Sequence, residues 1–286
     1  MAKIKTISLI GKPNLTEYQT QLQQIITQLE PDHDLLFDAN FSKQFHHPTS
    51  TSEELTSADL ILVFGGDGTL LKTMRKVKSE DALILSINLG NLGFLTEAKI
   101  EEFADVFQKI NQGKYDLDKR KLLTLHIMRD GKRVLENQIV NEAVVHQGGK
   151  ARLINLHIDV SGQSVCSLKA DGLIISTATG STGHSLSAGG PIIHPHINAI
   201  LINPIAPISL SNRPIAVPSD RCVEVTIDRN REYAEKVGLT IDGQESYQLE
   251  YQDKIYIKES AHEINLIRML DANYYQSLRD KLNWSK

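Results

Sequence analysis

The chain has 286 residues, of which 41% are hydrophobic and 23% charged, and its formal net charge is −4. This composition fits a soluble globular protein of one large domain or two ordinary ones, and the acidic balance argues against nucleic acid held by bulk charge. The two cysteines, Cys166 and Cys222, lack CxxC or zinc spacing, and no apolar run has the length of a membrane span or a signal-peptide core, so no membrane partner is expected and the expected location is cytoplasmic.

In chain order, residues 4–10 read as a strand ended by Gly11, Lys12 and Pro13. Leu22, Ile25, Ile26 and Leu29 recur at i, i+3, i+4 and i+7, which predicts one apolar helix face, and Pro31 stops that helix. Residues 41–52 are polar apart from Phe41 and Phe45 and are expected to form a loop. His46 and His47 lie in it as solvated neighbours, because adjacent residues seldom point at one metal.

An apolar run over 60–63 leads into Phe64-Gly65-Gly66-Asp67-Gly68-Thr69, and a helix is expected over 70–77. A strand entering a helix through glycines presents backbone N–H groups to a phosphate, so Gly65, Gly66, Gly68 and Thr69 are the expected phosphate loop. The Asp67 carboxylate would repel phosphate unless it holds a metal ion or accepts a proton from the group being phosphorylated. Its structural alternative is a turn-former or helix N-cap. The spacing is neither the Walker loop nor the dinucleotide fingerprint.

Residues 82–87 form a continuous apolar run, as in a strand buried on both faces, and a second glycine turn follows over 88–95. Ile100, Phe103, Phe107 and Ile110 mark another helix. This alternation predicts a parallel, doubly wound, Rossmann-like sheet, with both glycine turns at the carboxyl ends of strands, where ligands bind in such sheets.

The pattern changes near Lys119-Arg120-Lys121. Strands are then expected over 122–128, 134–145, 153–160, 173–176, 223–227, 237–241 and 254–257, with a hairpin turn at Asp130-Gly131, giving an all-β, sandwich-like second domain. Pro204, Pro207, Pro214 and Pro218 punctuate a loop, and a helix over 273–282 closes the chain. His194 and His196 do not complete a zinc site, and no metal-ligating side chains can be assigned.

Residues 169–191 concentrate hydroxyls, glycines and one acid, Asp171, between apolar flanks. Hydroxyls and free N–H groups suit ribose and phosphate oxygens, and Asp171 can accept hydrogen bonds from an amino or hydroxyl group. With Gly65-Gly66-Asp67-Gly68-Thr69, Asn141-Glu142, Ser211-Asn212-Arg213-Pro214 and Asp242-Gly243-Gln244, the chain resembles the bacterial NAD kinases of the ATP-NAD kinase family. The first motif is shared with diacylglycerol and sphingosine kinases, whereas 171–191 is far more specific.

The resemblance implies an α/β domain over 1–120, a β-rich NAD-binding domain over 121–258, and a segment over 259–286 that packs back on the first. It implies transfer of the ATP γ-phosphoryl group to the adenosine-ribose 2′-hydroxyl of NAD, giving NADP. Mg2+ is expected with the ATP, bound largely through phosphates and water. The implied assembly is a homodimer or homotetramer.

Residue by residue, Asp67 matches the family's catalytic proton acceptor. Gly68 belongs to the same turn, and Lys72 matches a basic residue that often touches the dinucleotide. Asn141 and Glu142 match the pair on the adenine and ribose side of NAD. Arg152 and Lys169 match basic positions near the nucleotide, Asp171 a contact to the nicotinamide end or a neighbouring adenosine, and Gln244 a further pocket residue. Thr182, Gly183, His184, Ser185, Leu186 and Ser187 match the lining of the dinucleotide pocket. The chain departs from the family's usual Thr-Pro-Thr-Gly-Ser-Thr-Ala-Tyr-Ser by Ala178, Gly183 and His184. Imidazole stacks on a substrate ring with less area than the usual tyrosine. Two other readings are a diacylglycerol-type lipid kinase, which calls for a membrane-facing surface, and a non-catalytic dinucleotide sensor, which has no use for an acid facing phosphate.

Overall fold

The computed structural model describes residues 4–90, 93–148, 153–228, 237–270 and 273–283. The chain divides into two compact units, Met1–Lys119 with Ile264–Lys286, and Arg120–Glu263.

The first unit is α/β. Its elements are β1 (Thr6–Gly11), α1 (Gln19–Leu29), β2 (Asp34–Phe37), α2 (Ala39–Phe45), α3 (Ser52–Thr56), β3 (Leu60–Phe64), α4 (Asp67–Met74), β4 (Leu83–Asn88), the short β5 (Ala98–Lys99) and α5 (Phe103–Asn111). The strands pair in parallel in the order β2-β1-β3-β4. The chain steps from β1 out to β2 and returns across to β3, so the topological switch point lies between β1 and β3. Every residue of β3 is buried, as a parallel strand covered on both faces requires. The helix face of Leu22, Ile25, Ile26 and Leu29 is buried, as is that of Phe103, Val106, Phe107 and Ile110. Both faces join β-strand residues such as Leu9, Leu62 and Ile87 in one core, each aliphatic side chain stabilising the fold by roughly 1.5–3 kcal/mol.

The expected loop over 41–52 is helical at its two ends, since α2 runs on to Phe45 and α3 starts at Ser52, while 46–51 carry no regular structure. Asp38 caps α2 by accepting from the N–H groups of Asn40 and Phe41, and Phe41 is fully buried. Thr51 and Glu54 form a reciprocal capping box at the start of α3. Two short helices with so few apolar residues carry too little periodicity to be read, and only their caps announce them.

The second unit is built of β6 (Asp116–Arg129), β7 (Lys132–Ile139), β8 (Glu142–Gln147), β9 (Ile154–Val160), β10 (Gln163–Ala170), β11 (Gly172–Thr177), the single-turn α6 (His184–Ser187), β12 (Ala199–Ile205), β13 (Ile215–Pro218), β14 (Val223–Ile227), β15 (Val237–Ile241), β16 (Glu245–Leu249) and β17 (Lys254–Arg268). The chain crosses the unit boundary within β6 and again within β17. One antiparallel sheet runs β13-β12-β11-β8-β15-β16. Opposite it, β10, β9, β14 and the first part of β17 pair antiparallel, and β6 and β7 form a hairpin. Alternate residues such as Val145, Ile175 and Leu239 from one sheet meet Leu156, Val225 and Ile255 from the other in a shared core, the packing of a β-sandwich.

Two sequence expectations are corrected here. Residues 134–145 are two strands, because the chain breaks at Val140-Asn141 between β7 and β8. Pro204 and Pro218 lie within β12 and β13 rather than in a loop. β13 pairs β12 only as far as Ile202↔Ile215, so the missing N–H of Pro204 interrupts no ladder on that side. The end of β17 pairs in parallel with β4 through Asn265↔Leu83 and Leu266↔Ile84, and Arg268 reaches Glu97 at 2.7 Å and Asp118 at 3.1 Å. Asn273 then caps α7 (Tyr274–Leu282), so the chain's end belongs to the first unit.

Candidate active site

In the first unit, the functional groups gather where β3 and β4 end. Gly66 is the N-cap of α4 in an extended conformation, and the helix begins at Asp67. The N–H groups of Thr69 and Leu70 return to the carbonyl of Gly66, and the N–H of Gly65 donates to the carbonyl of Ile87. A Cβ at Gly66 would meet nothing within 4 Å, so the loop borders open space there. Lys72 is exposed on α4.

Asp67 turns toward the second glycine turn. Its Oδ2 accepts from the N–H of Phe94 at 2.9 Å and its Oδ1 from the N–H of Leu95 at 3.1 Å. This approach depends on Gly93, where a Cβ would lie 2.0 Å from Asp67 Oδ1. The carboxylate is therefore fixed by two backbone N–H groups, one on each oxygen. At the end of β1, the Lys12 N–H donates to the Phe64 carbonyl, and Lys12 Nζ lies 3.4 Å from the Leu89 carbonyl and 4.9 Å from the centroid of the Tyr18 ring. Sequence reasoning passed over this cation, although a lysine directly after a β-strand was visible.

In the second unit, the groups gather at the break between β7 and β8. Asp242, just past β15, adopts φ +48° and is buried. Its carboxylate accepts from the N–H groups of Val140 at 3.2 Å, Asn141 at 2.7 Å and Glu142 at 3.1 Å. From the other side, Thr177 Oγ1 donates to the Val140 carbonyl and Ser176 Oγ to the Asn141 carbonyl. Gly180 packs against this backbone so closely that a Cβ would lie 2.1 Å from the Asn141 carbonyl oxygen.

The backbone of Asn141 and Glu142 is thus clamped while their side chains are not satisfied. Among the described residues, Asn141 Oδ1 and Glu142 Oε2 are buried without a hydrogen-bond partner. Buried polar atoms are nearly always paired, so these two oxygens can each accept a hydrogen bond from a bound group or a water. Burial, with the Asp242 charge added, pushes the Glu142 carboxyl up to about 7, and the hydrogen bond from the His184 backbone N–H opposes that shift. Gly183 faces these atoms, and a Cβ there would sit 3.0 Å from Glu142 Oε2.

Asn141, Glu142, Gly183 and His184 therefore come together, with the His184 side chain exposed at the start of α6. Ser187 is exposed, and Thr182 and Leu186 are half-buried. Ser185 is fully buried, and its Oγ receives Asn203 Nδ2 at 3.1 Å. Asp171 Oδ1 accepts from Gln147 Nε2 at 3.4 Å, Lys169 is exposed on β10, and Gln244 is exposed in the turn after β15. Arg152 lies outside the described residues. Asp242 is the functional residue the sequence reading left without a role. An Asp-Gly pair directly after a strand signals only a turn, whereas its partners stand about a hundred residues earlier in the chain.

A doubly wound unit with a carboxylate fixed in a glycine turn, and a β-sandwich unit with a buried pair awaiting a polar ligand, define a nucleotide-dependent phosphotransferase. Residues 13–115 match the ATP-NAD kinase N-terminal domain, and residues 140–269 match the ATP-NAD kinase C-terminal domain. The chain belongs to the ATP-NAD kinase family. It is 43% identical over 228 residues to the NAD kinase of Magnetococcus marinus, covering 80% of this chain and 74% of that one. It is 37% identical over 285 residues to the NAD kinase of Geobacter metallireducens, covering 99% of this chain and all of that one. Its fold is that of a yeast NADH kinase solved with NADH, with TM-score 0.92, 24% identity and coverage of 100% and 89% of the two chains. An Archaeoglobus fulgidus NAD kinase solved with ATP shares the fold with TM-score 0.74, 24% identity and coverage of 97% and 98%.

Proposed function

We propose that Asp67 is where this chain, as an ATP-dependent NAD kinase producing NADP, takes the proton from the 2′-hydroxyl of the adenosine ribose. The 2′-oxygen bonds to the γ-phosphorus of ATP, the bond from that phosphorus to its bridging oxygen breaks, and ADP leaves. The observation that carries this reading is the pair of N–H groups, from Phe94 and Leu95, that hold the Asp67 carboxylate. Phosphoryl transfer through a loose transition state asks little basicity of the acceptor, so holding it in place counts for more.

Gly65, Gly66, Gly68 and Thr69 shape the loop for the donor phosphates. Asn141 and Glu142 take the adenine and ribose side of NAD, where their orphan oxygens suit amino and hydroxyl donors. Thr182, Gly183, His184, Leu186 and Ser187 line the dinucleotide, Ser185 supports that turn from beneath, and Lys72, Arg152, Lys169, Asp171 and Gln244 complete the polar contacts. Mg2+ enters with ATP and offsets phosphate charge. Among the described residues no group of three or more His, Cys, Asp or Glu side chains could hold a metal. A homodimer or homotetramer in the cytoplasm completes the reading, a setting in which Cys166 and Cys222 stay thiols. Among the described residues no helix is long and apolar enough to cross a membrane.

The test is incubation with ATP, Mg2+ and either NAD or diacylglycerol, with NADP read by an NADP-specific dehydrogenase. Phosphatidic acid in place of NADP would return the lipid-kinase reading. Binding of NAD without any turnover would return the sensor. Replacing His184 by Tyr is expected to hold or lower the KM for NAD, because the larger ring stacks over more area. A KM raised about tenfold would remove the stacking role.

A further inference from the structure

Strand β4 reads Leu-Ile-Leu-Ser-Ile-Asn, and its two polar residues, Ser86 and Asn88, are both buried at 3% exposure. Buried hydroxyl and amide groups in a central strand cost stability unless they are paired. They share one face of the strand, and both reach the segment that carries the glycine turn. Ser86 Oγ donates to the Leu95 carbonyl at 3.0 Å and accepts from the Glu97 N–H at 3.1 Å. Asn88 Nδ2 donates to Thr96 Oγ1 at 3.1 Å, and the same oxygen accepts from the Gly93 N–H at 2.8 Å. Thr96 is itself buried, at 5% exposure.

The hydroxyl of Thr96 thus ties both ends of a four-residue turn, itself at one end and Gly93 at the other, to the strand beneath. The two N–H groups between those ends, of Phe94 and Leu95, are the ones that hold Asp67. These side chains bond to the backbone and hydroxyl of the turn, and together they decide where the donors to Asp67 stand. We infer that Thr96 is a positioning residue for the phosphoryl transfer, fixing through Gly93 the backbone turn that aims Asp67. This rests on the role proposed for Asp67. Valine has nearly the shape of threonine but cannot accept a hydrogen bond, so in Thr96→Val the Gly93 N–H and the Asn88 amide both lose a partner. A turn that relaxes by a fraction of an ångström carries the carboxylate with it, and misplacement on the scale of 1 Å is enough to cost about a hundredfold in rate.

The test compares Thr96→Val and Thr96→Ser, each alone and in an Asp67→Asn background, with rates expressed per folded enzyme. Thr96→Val is expected to lower kcat about tenfold with the KM for NAD little changed, and Thr96→Ser, which keeps the oxygen, to recover most of the loss. In the Asp67→Asn background, Thr96→Val is expected to cost almost nothing further, because the group it positions is gone. Equal losses in both backgrounds, wild-type turnover in Thr96→Val, or failure of serine to rescue would each overturn the inference. If Asp67→Asn alone keeps its turnover, the reading of Asp67 fails instead, so the two failures are distinguishable. Should Thr96→Val not fold, Gly93→Ala probes the same contact directly through its Cβ, which would lie 2.0 Å from Asp67 Oδ1. It too is expected to lower kcat without raising the KM for NAD, and an unchanged kcat would count against the inference.

Discussion

Replacing Asp67 by Asn is expected to lower kcat about a hundredfold or more, the scale on which a positioned acid–base group acts, with NAD binding nearly intact. The substitution keeps the shape and position of the side chain while removing its capacity to take a proton. It also disturbs the local hydrogen bonding in a defined way. The carboxylate accepts from two N–H groups, whereas an amide presents one acceptor and one donor, so one of the Phe94 and Leu95 N–H groups would face an NH2 group. Leaving that donor unmatched costs on the order of 1–3 kcal/mol locally, a loss that thermal denaturation would register as a modest drop in Tm. Calorimetric NAD binding and steady-state kinetics on the same preparation separate the two effects. Turnover within about fivefold of wild type would show that the carboxylate neither removes nor orients the proton.

What could be read in advance follows the physics of each signal. β3 is a continuous apolar run, β4 is apolar apart from Ser86 and Asn88, and α1 and α5 have strong helical periodicity, so each announces itself locally. The strand-to-helix turn at Gly65–Gly68 was visible because glycine and a lone carboxylate are an unusual combination after such a run. α2 and α3 were not, because helices of seven and five residues are too short to show an apolar period, although α2 buries Phe41 and both are capped, by Asp38 and Thr51. The break at Val140-Asn141 was hidden for a different reason. No glycine or proline stands between Val134 and Gln147 to mark a turn, and it is the carboxylate of Asp242, far along the chain, that takes up the N–H groups of Val140, Asn141 and Glu142. The same limit applies to the grip of Phe94 and Leu95 on Asp67. Both turns were legible as turns, but their meeting is a product of β3 and β4 lying side by side in parallel.

The clamp at Asp242 also sets the second large expectation. Glu142 is held against a like charge in a buried place, and its carboxyl titrates near 7 rather than at its ordinary 4.5. The native chain therefore binds that proton more tightly than the unfolded chain does. Its contribution to stability is fully present below about pH 4.5, falls as pH rises toward 7, and is gone above that, a swing of roughly 3 kcal/mol at most. Glutamine cannot ionise, so Glu142→Gln removes this swing. Relative to wild type, the variant should be near neutral at pH 5 and more stable by up to about 3 kcal/mol at pH 8. Urea denaturation of both proteins at the two pH values checks this, and it is the difference between the proteins that isolates residue 142, since every other titrating group is common to both. The gain should be offset in ligand binding: among the described residues Glu142 Oε2 is a buried oxygen without a partner, and exchanging a charged acceptor for an amide should weaken NAD binding at pH 8 by about tenfold or more. A variant that shows the same pH dependence of stability as wild type would mean that Glu142 is solvated, and would remove the reason for reading its orphan oxygen as a ligand contact.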